Sequence, residues 1–263
     1  MLNQKVLEKL LRIDYELIQN KIGNFLNNEM TNGEFNGVVF GLSGGIDSTV
    51  IAMLCAKFVK EKALAIIMPN GKITPKKDTD DAIMIAKNLK IEYKLIDIEN
   101  IHNVYSNYLE PDTLAFGNLG ARIRANVLYY YANVRKYLVL GSSDKSEFLI
   151  GYFTKFGDGA ADLLPIVSLY KTQIRELAKK LKVSSDILLK PSGPHLWKGH
   201  TAEIELGIPY NEIDSILHCL TDNNLTIVET SKILEIPISS VEKIYIMYKN
   251  SKHKRITAKA CTI

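Results

Sequence analysis

Between residues 41 and 48 the chain reads Gly41-Leu42-Ser43-Gly44-Gly45-Ile46-Asp47-Ser48, with Thr49 next. Two adjacent glycines let a backbone turn tightly and approach a ligand with no Cβ in the way. Ser43, Ser48 and Thr49 bring hydroxyl groups, and a helix starting here presents unpaired N–H groups at its positive end. Together these suit a pyrophosphate. The spacing is neither GxGxxG nor GxxxxGK[ST], which excludes the dinucleotide fingerprint and the Walker loop. An acid inside an anion-binding loop requires a cation beside it, so Asp47 is a candidate Mg²⁺ ligand next to phosphate oxygens. A plain strand-to-helix turn with a Ser or Asp cap explains the glycines and Asp47 separately. It does not explain hydroxyls, glycines and an acid in one loop.

The elements around the loop must hold it rigidly. Val38-Val39-Phe40 is short and wholly apolar, as expected of a parallel strand covered on both faces. Ile51, Leu54, Cys55 and Phe58 make one stripe of the helix that follows. Apolar runs at 63–68, 93–96 and 137–140 alternate with striped helices. One carries Ala82, Ile85, Ala86 and Leu89, one runs from about Leu119 to Asn133, and one carries Ile174, Leu177, Ala178 and Leu181. This alternation predicts an α/β, doubly wound, mainly parallel sheet of five strands, with the ligand at the carboxyl ends of the strands. Val6, Leu10, Ile13 and Leu17 predict one opening helix. The tail from 224 to 247 predicts two helices broken near Pro237, so helical extensions flank the sheet at both ends. Pro191 and the 194–199 stretch read as a long functional loop.

Composition narrows the class. Of 263 residues, 46% are apolar and 24% charged, ordinary for a soluble globular chain. No run of 18 apolar residues occurs and no signal pattern opens the chain, so the expectation is a cytoplasmic protein that does not span a membrane. Cys55, Cys219 and Cys261 are far apart with no CxxC pair, which excludes an obvious zinc site or disulfide framework. Cys55 sits on an apolar stripe and reads as a buried, inert thiol. A net charge of +4 is too weak to announce a nucleic-acid binder. Residues 225–244 superficially resemble a helix-turn-helix followed by a basic stretch at 249–255, but Glu242 dilutes the would-be recognition helix.

The SGGxDS string resembles the pyrophosphate loop of the ATP pyrophosphatases, which split ATP between its α and β phosphates. A second set of residues narrows this to one branch. Gly151-Tyr152-Phe153-Thr154-Lys155 with Gly157-Asp158-Gly159 and Asp162-Leu163-Leu164-Pro165 is similar to the GYFTK-GDG-D-LP segment of NAD synthetases. Asn118 to Arg124, Gly141 to Glu147 and His253-Lys254-Arg255 resemble further motifs of that family in the same order, so the resemblance spans about residues 10–258 as one domain. No glutaminase portion precedes it, so the resemblance is to the ammonia-dependent NAD⁺ synthetases. It implies a carbon–nitrogen ligase that amidates deamido-NAD⁺ with free ammonia through an acyl adenylate, releasing AMP and pyrophosphate, and that acts as a homodimer.

The resemblance also implies roles for single residues. Asp47 and Glu147 would hold Mg²⁺. Gly41, Leu42, Ser43, Gly44, Gly45, Ile46, Asp47 and Ser48 would form the ATP loop, with Ser142, Lys171 and Ser192 as further ATP contacts. Arg122, Lys155, Asp162, His253 and Lys254 would bind deamido-NAD⁺, some from a second subunit. Asp47, Lys171 and Lys155 would carry the catalytic charge. Ser142 keeps a hydroxyl where the family usually has threonine. Taken without the resemblance, Glu147 reads first as a solvated helix-start acid, and Lys155 and Lys171 as surface lysines. Arg122 and Arg124 at the start of a helix oppose its dipole, which an anionic ligand would relieve. Tyr129-Tyr130-Tyr131 reads as core or dimer contact rather than a ring-stacking site. His200 and Ala202 stand where the family has glutamine and aspartate, so the handling of ammonia is where this chain departs from the pattern. Two rivals share the loop: a tRNA-thiolating enzyme, which needs a reactive cysteine and a basic surface, and a nucleotide sensor that does not split ATP.

Overall fold

A computed structural model describes residues 2–71, 73–191, 193, 201–256, 258, 260 and 261. Four short strands build its sheet: β1 (Gly37–Gly41), β2 (Ala63–Ile67), β3 (Glu92–Leu95) and β4 (Tyr137–Leu140). All pair in parallel, in the order β3-β2-β1-β4, with Val38 opposite both Ala63 and Leu138. Helices α1 (Leu2–Leu11) and α2 (Tyr15–Asn32) precede the sheet. Then α3 (Ile46–Phe58) links β1 to β2, and α4 (Lys76–Leu89) links β2 to β3. After α5 (Glu99–Tyr105), the long α6 (Thr113–Arg135) returns the chain across the sheet to β4 on the far side of β1. The strand order therefore reverses between β1 and β4, and the loops leaving their carboxyl ends open the crevice where ligands bind in such sheets.

The sheet is held by period-two burial. Val38, Phe40, Ala63, Ala65 and Ile67 pack toward α2, α3 and α4, while Val39, Leu64, Ile66 and Val139 pack toward α6. Fully burying each Val, Leu, Ile or Phe stabilises the fold by about 1.5–3 kcal/mol relative to exposure. The edge strand β3 carries Glu92 and Lys94, whose charges discourage pairing with another chain. The remaining helices are α7 (Lys145–Ile150), α8 (Lys171–Lys180), α9 (Ser185–Leu188), α10 (Ala202–Leu206), α11 (Tyr210–Leu217), α12 (Ile227–Leu234) and α13 (Ile238–Asn250). Helices α10 to α13 join α1 and α7 in a separate apolar cluster built on Tyr210, Ile213, Ile216 and Leu217. Pro237 caps α13, so the expected break in the tail is where the chain bends.

Three expectations need correction. The opening segment forms two helices, because the Asp14 carboxylate accepts from the Glu16 and Leu17 N–H groups at 3.0 Å each and starts a new helix. Among the described residues the sheet has four strands, not five. The segment beside β4, where a further strand would pair, meets it at a single bridge between Leu140 and Leu163. There the Val139 N–H donates to the Asp162 side chain at 2.7 Å, and Pro165 has no N–H for a ladder. Finally, α6 starts at Thr113, capped by Asp112, so Arg122 and Arg124 lie well inside it and no dipole conflict arises. Cys55 is buried, and burial pushes its thiol up to about 12, as expected of an inert core residue. Among the described residues no helix is long and apolar enough to cross a membrane.

Candidate active site

The turn from β1 into α3 is built from its own hydroxyls. Ser48 Oγ accepts the Ser43 N–H at 3.2 Å, lies 3.0 Å from Ser43 Oγ and donates to the Gly45 carbonyl at 3.1 Å. Thr49 Oγ1 donates to the same carbonyl at 2.7 Å. Gly44 sits in the left-handed region at φ +79°, and a Cβ there would collide with the Asp78 carbonyl oxygen, so only glycine fits against α4. Gly41, Leu42, Ser43, Gly45, Ile46 and Ser48 line a cavity of about 300 Å³, with Asp47 beside them. Opposite, the loop after β4 contributes Gly141 and Ser142, and α7 contributes Glu147. Arg124 reaches the cavity from α6 and is anchored by Nε donating to the Met68 carbonyl at 3.0 Å.

Below the loop a buried lysine joins three carboxylates. Lys171 opens α8 and has no exposed surface, and its Nζ lies 2.8 Å from Asp47 Oδ2, 2.7 Å from Asp144 Oδ2 and 2.9 Å from Glu147 Oε1. Burial alone would lower the lysine pKa, but the three acids hold it well above its usual value. Burial pushes Glu147 up to about 8, against the pull of Lys171. Asp47 and Glu147 keep 20% and 19% of their side chains exposed, toward the cavity, whereas Asp144 is fully buried. Asp47 Oδ1 is buried with no hydrogen-bond partner among the described residues. An orphaned carboxylate oxygen beside a second carboxylate is a donor set that suits Mg²⁺, which binds through one or two carboxylates together with substrate phosphates and water.

The cluster is held from behind. Asp144 caps α7 by accepting the Glu147 N–H at 2.8 Å, and the Tyr210 hydroxyl donates to Glu147 Oε1 at 3.1 Å. Asp214, fully buried on α11, accepts from Ser146 Oγ at 2.5 Å and from the Thr172 N–H at 2.8 Å. Ser146 Oγ in turn accepts the Lys171 N–H at 2.9 Å. A carboxylate at the start of α8 also complements that helix's positive end.

The other residues expected from sequence fall in different places. Lys155 does not line the cavity: its Nζ donates to the His253 carbonyl at 2.7 Å. Lys254 Nζ donates to the Gly151 and Phe153 carbonyls at 2.8 Å each, tying the C-terminal turn to the same segment. That segment instead lends Tyr152, Gly157, Asp158 and Ala160 to the cavity wall. Asp162 holds β4 through the Val139 N–H and accepts from the Tyr129 hydroxyl at 3.2 Å. Arg122 is exposed on α6, in register with Asn126, Tyr130 and Val134 at four-residue spacing. Ser192 and His200 lie outside the described residues. Ala202 is buried in the C-terminal cluster. Asp144, Tyr210, Asp214 and Lys190 were not singled out in the sequence. The helix-start pattern Asp144-Lys145-Ser146-Glu147 was the one local signal for Asp144, and nothing local marked the others.

The chain as a whole is similar to known proteins. A family model for NAD synthase matches residues 18–258. The NH(3)-dependent NAD(+) synthetase of Hyperthermus butylicus is 46% identical over 252 residues, covering 95% of this chain and 91% of its own. Among solved structures, NMN synthetase from Francisella tularensis has a TM-score of 0.85 at 34% identity, with 95% of this chain and 100% of that one covered. The NH3-dependent NAD synthetase from Campylobacter jejuni has a TM-score of 0.82 at 31% identity, with the same coverage. With the loop, the buried lysine cage and the parallel sheet in one continuous match, the chain belongs to the NAD synthase family.

Proposed function

We propose that this protein makes NAD⁺ by amidating the nicotinate carboxylate of deamido-NAD⁺ with free ammonia, at the expense of ATP. The observation that carries the proposal is the meeting, at the switch point of the sheet, of the glycine–serine loop with the Asp47–Lys171–Glu147 cluster. A carboxylate resists amine attack because oxide would have to leave. In the proposed first step, a nicotinate oxygen attacks the α-phosphorus of ATP, the bond to the bridging oxygen breaks and pyrophosphate leaves. Ammonia nitrogen then attacks the acyl carbon, the carbon–oxygen bond to AMP breaks, and the nitrogen loses a proton.

The chain's residues serve these steps through position and charge. N–H groups and hydroxyls of residues 43–49 would receive the β and γ phosphates, and Ser142 would lie against the nucleotide from the β4 side. Lys171, kept charged by its acids, would shift toward the phosphates as they arrive. Asp47 and Glu147 would hold Mg²⁺, which when bound neutralises phosphate charge. Ser192 would add a further ATP contact. Lys155, His253 and Lys254 meet at the C-terminal turn, and with Asp162, held beside β4, they would frame the deamido-NAD⁺ site.

A homodimer is part of the proposal. Tyr105, Ile101, Ile123, Val127 and Tyr130 line an apolar groove of about 310 Å³ between α5 and α6. Tyr130 and Val134 are 63% and 61% exposed beside it. A second copy seated there would cover this surface and meet Arg122, which would then act on the substrate across the interface. Residues 10–258 would work as one domain in the cytoplasm.

The test is a coupled assay following AMP, pyrophosphate and NAD⁺. Ammonium is expected to support turnover and glutamine to fail. The likeness to an NMN synthetase favours one added arm, in which nicotinate mononucleotide replaces deamido-NAD⁺; preferred amidation of the mononucleotide would move the substrate assignment. ATP cleavage in the absence of any pyridine acid, or no cleavage at all, would remove the proposal.

A further inference from the structure

Lys190 lines the cavity, just before Pro191, and no step above uses it. Its Nζ donates to the Gly44 carbonyl oxygen at 3.0 Å and to Asp78 Oδ1 at 2.7 Å, and forms an ion pair with Asp81 Oδ2 at 2.6 Å. The two acids lie three residues apart on the first turns of α4 and so share a face. All three side chains are 13–15% exposed. Burial would lower the lysine pKa, but both acids raise it, so the ammonium persists.

The Gly44 carbonyl gives this cluster its meaning. In a trans peptide the carbonyl and the N–H point in opposite directions, and the chain has no cis bonds among the described residues. Fixing the Gly44 oxygen on Lys190 therefore aims the Gly45 N–H into the loop, where it donates to Ser43 Oγ at a long 3.3 Å. Ser43 and Gly45 both line the cavity, and Gly44 does not. A Gly–Gly peptide is the one most free to rotate, since neither residue has a Cβ to resist. Rotated by half a turn, it would present a carbonyl oxygen where the phosphate loop needs an N–H.

We infer that Lys190, braced by Asp78 and Asp81, is a positioning residue that holds the Gly44–Gly45 peptide in its anion-accepting orientation. The inference rests on the reading of residues 41–48 as the triphosphate site. Its competitor is a Lys190 that touches phosphate directly. The two give opposite signs at Asp81, which does not line the cavity. Removing the Asp81 charge frees the ammonium and makes the region more positive, so a direct contact would bind anions more tightly. A brace that has lost one of its two supports would let the peptide turn, and anions would bind more weakly.

The experiment titrates the full-length protein and its variants with inorganic pyrophosphate by calorimetry, alongside kcat and KM for ATP. Asp81→Asn and Lys190→Met are each expected to weaken pyrophosphate binding by about tenfold or more, the scale of one lost charge-assisted hydrogen bond. KM for ATP should rise by a similar factor while kcat changes little, and Lys190→Arg, which can still donate to the Gly44 oxygen, should keep most of the affinity. Pyrophosphate binding by Asp81→Asn that equals or exceeds that of the unsubstituted protein would overturn the brace. If Asp81→Asn does not fold, undiminished binding by Lys190→Met overturns it instead. Failure of the unsubstituted protein to bind either pyrophosphate or ATP would remove the loop assignment itself, and the brace with it.

Discussion

Lys171 Nζ lies 2.7 Å from Asp144 Oδ2, and neither side chain has any exposed surface. Taking two charges out of water costs several kcal/mol per ion, and only close pairing offsets it. Asp144 also caps the helix that carries Glu147. Asp144→Ala should therefore destabilise the fold by about 1–3 kcal/mol, because it takes one of three acids from a buried ammonium, leaving Asp47 and Glu147, and removes a cap. Urea unfolding measures this, and a midpoint within error of the unsubstituted protein would sink the claim.

Asp47 behaves differently, since it faces the cavity and its Oδ1 has no partner among the described residues. Asp47→Asn keeps the size of the side chain and removes its charge. Turnover should fall by about a hundredfold or more with little change in thermal stability. Near-normal turnover at saturating Mg²⁺ would refute a metal role for this residue.

Asp214 allows a prediction of sign. Burial raises its pKa to about 7, against the hydrogen bonds from Ser146 and the Thr172 N–H, which favour the ionised form. A carboxyl raised in the folded state keeps a proton that the unfolded chain releases near 3.9, so its contribution to stability is full below that value and fades as pH rises to about 7. Asp214→Asn removes this dependence. It should destabilise the protein overall, since the amide can accept less from Ser146 and Thr172, but the gap in melting temperature should narrow between pH 4 and pH 7. A gap that widens over that range would contradict the assignment.

Arg122 and Tyr130 test the interface. Both are exposed on one face of α6, beside the apolar groove. Tyr130→Asp should shift the protein toward monomers in sedimentation at micromolar concentration, because it places a charge in a surface that a second copy would desolvate. Arg122→Ala should leave assembly and KM for ATP near normal while raising KM for deamido-NAD⁺ by roughly tenfold, the loss of one charge-assisted contact. An Arg122→Ala protein with unchanged KM for both substrates would remove Arg122 from the site.

The loop chemistry and most of the strands and helices were legible in the sequence because they rest on local patterns. Residues 41–48 carry glycines, hydroxyls and an acid within one turn, continuous apolar runs mark β1 and β2, and stripes of period 3.6 mark α3 and α4. The misreadings came where a side chain competed with the backbone. Asp14 split an apparently continuous helix, and Asp162 took the N–H that a fifth strand would have used. No spacing rule announces such a substitution.

What the sequence determined by itself was an anion-binding turn between a buried strand and a helix in a parallel sheet. What only the tertiary structure decided was which groups close around it. Lys171 is 124 residues from Asp47, and Lys190 is 146 residues from Gly44, yet each pair is within hydrogen-bond reach. The reason is physical: periodicity reports which face of an element is buried, whereas the partner of a buried charge depends on where distant helices cross the sheet. The lysine expected as a phosphate contact stands among three acids, and Lys190, which no motif marked, donates to the loop's Gly44 carbonyl oxygen.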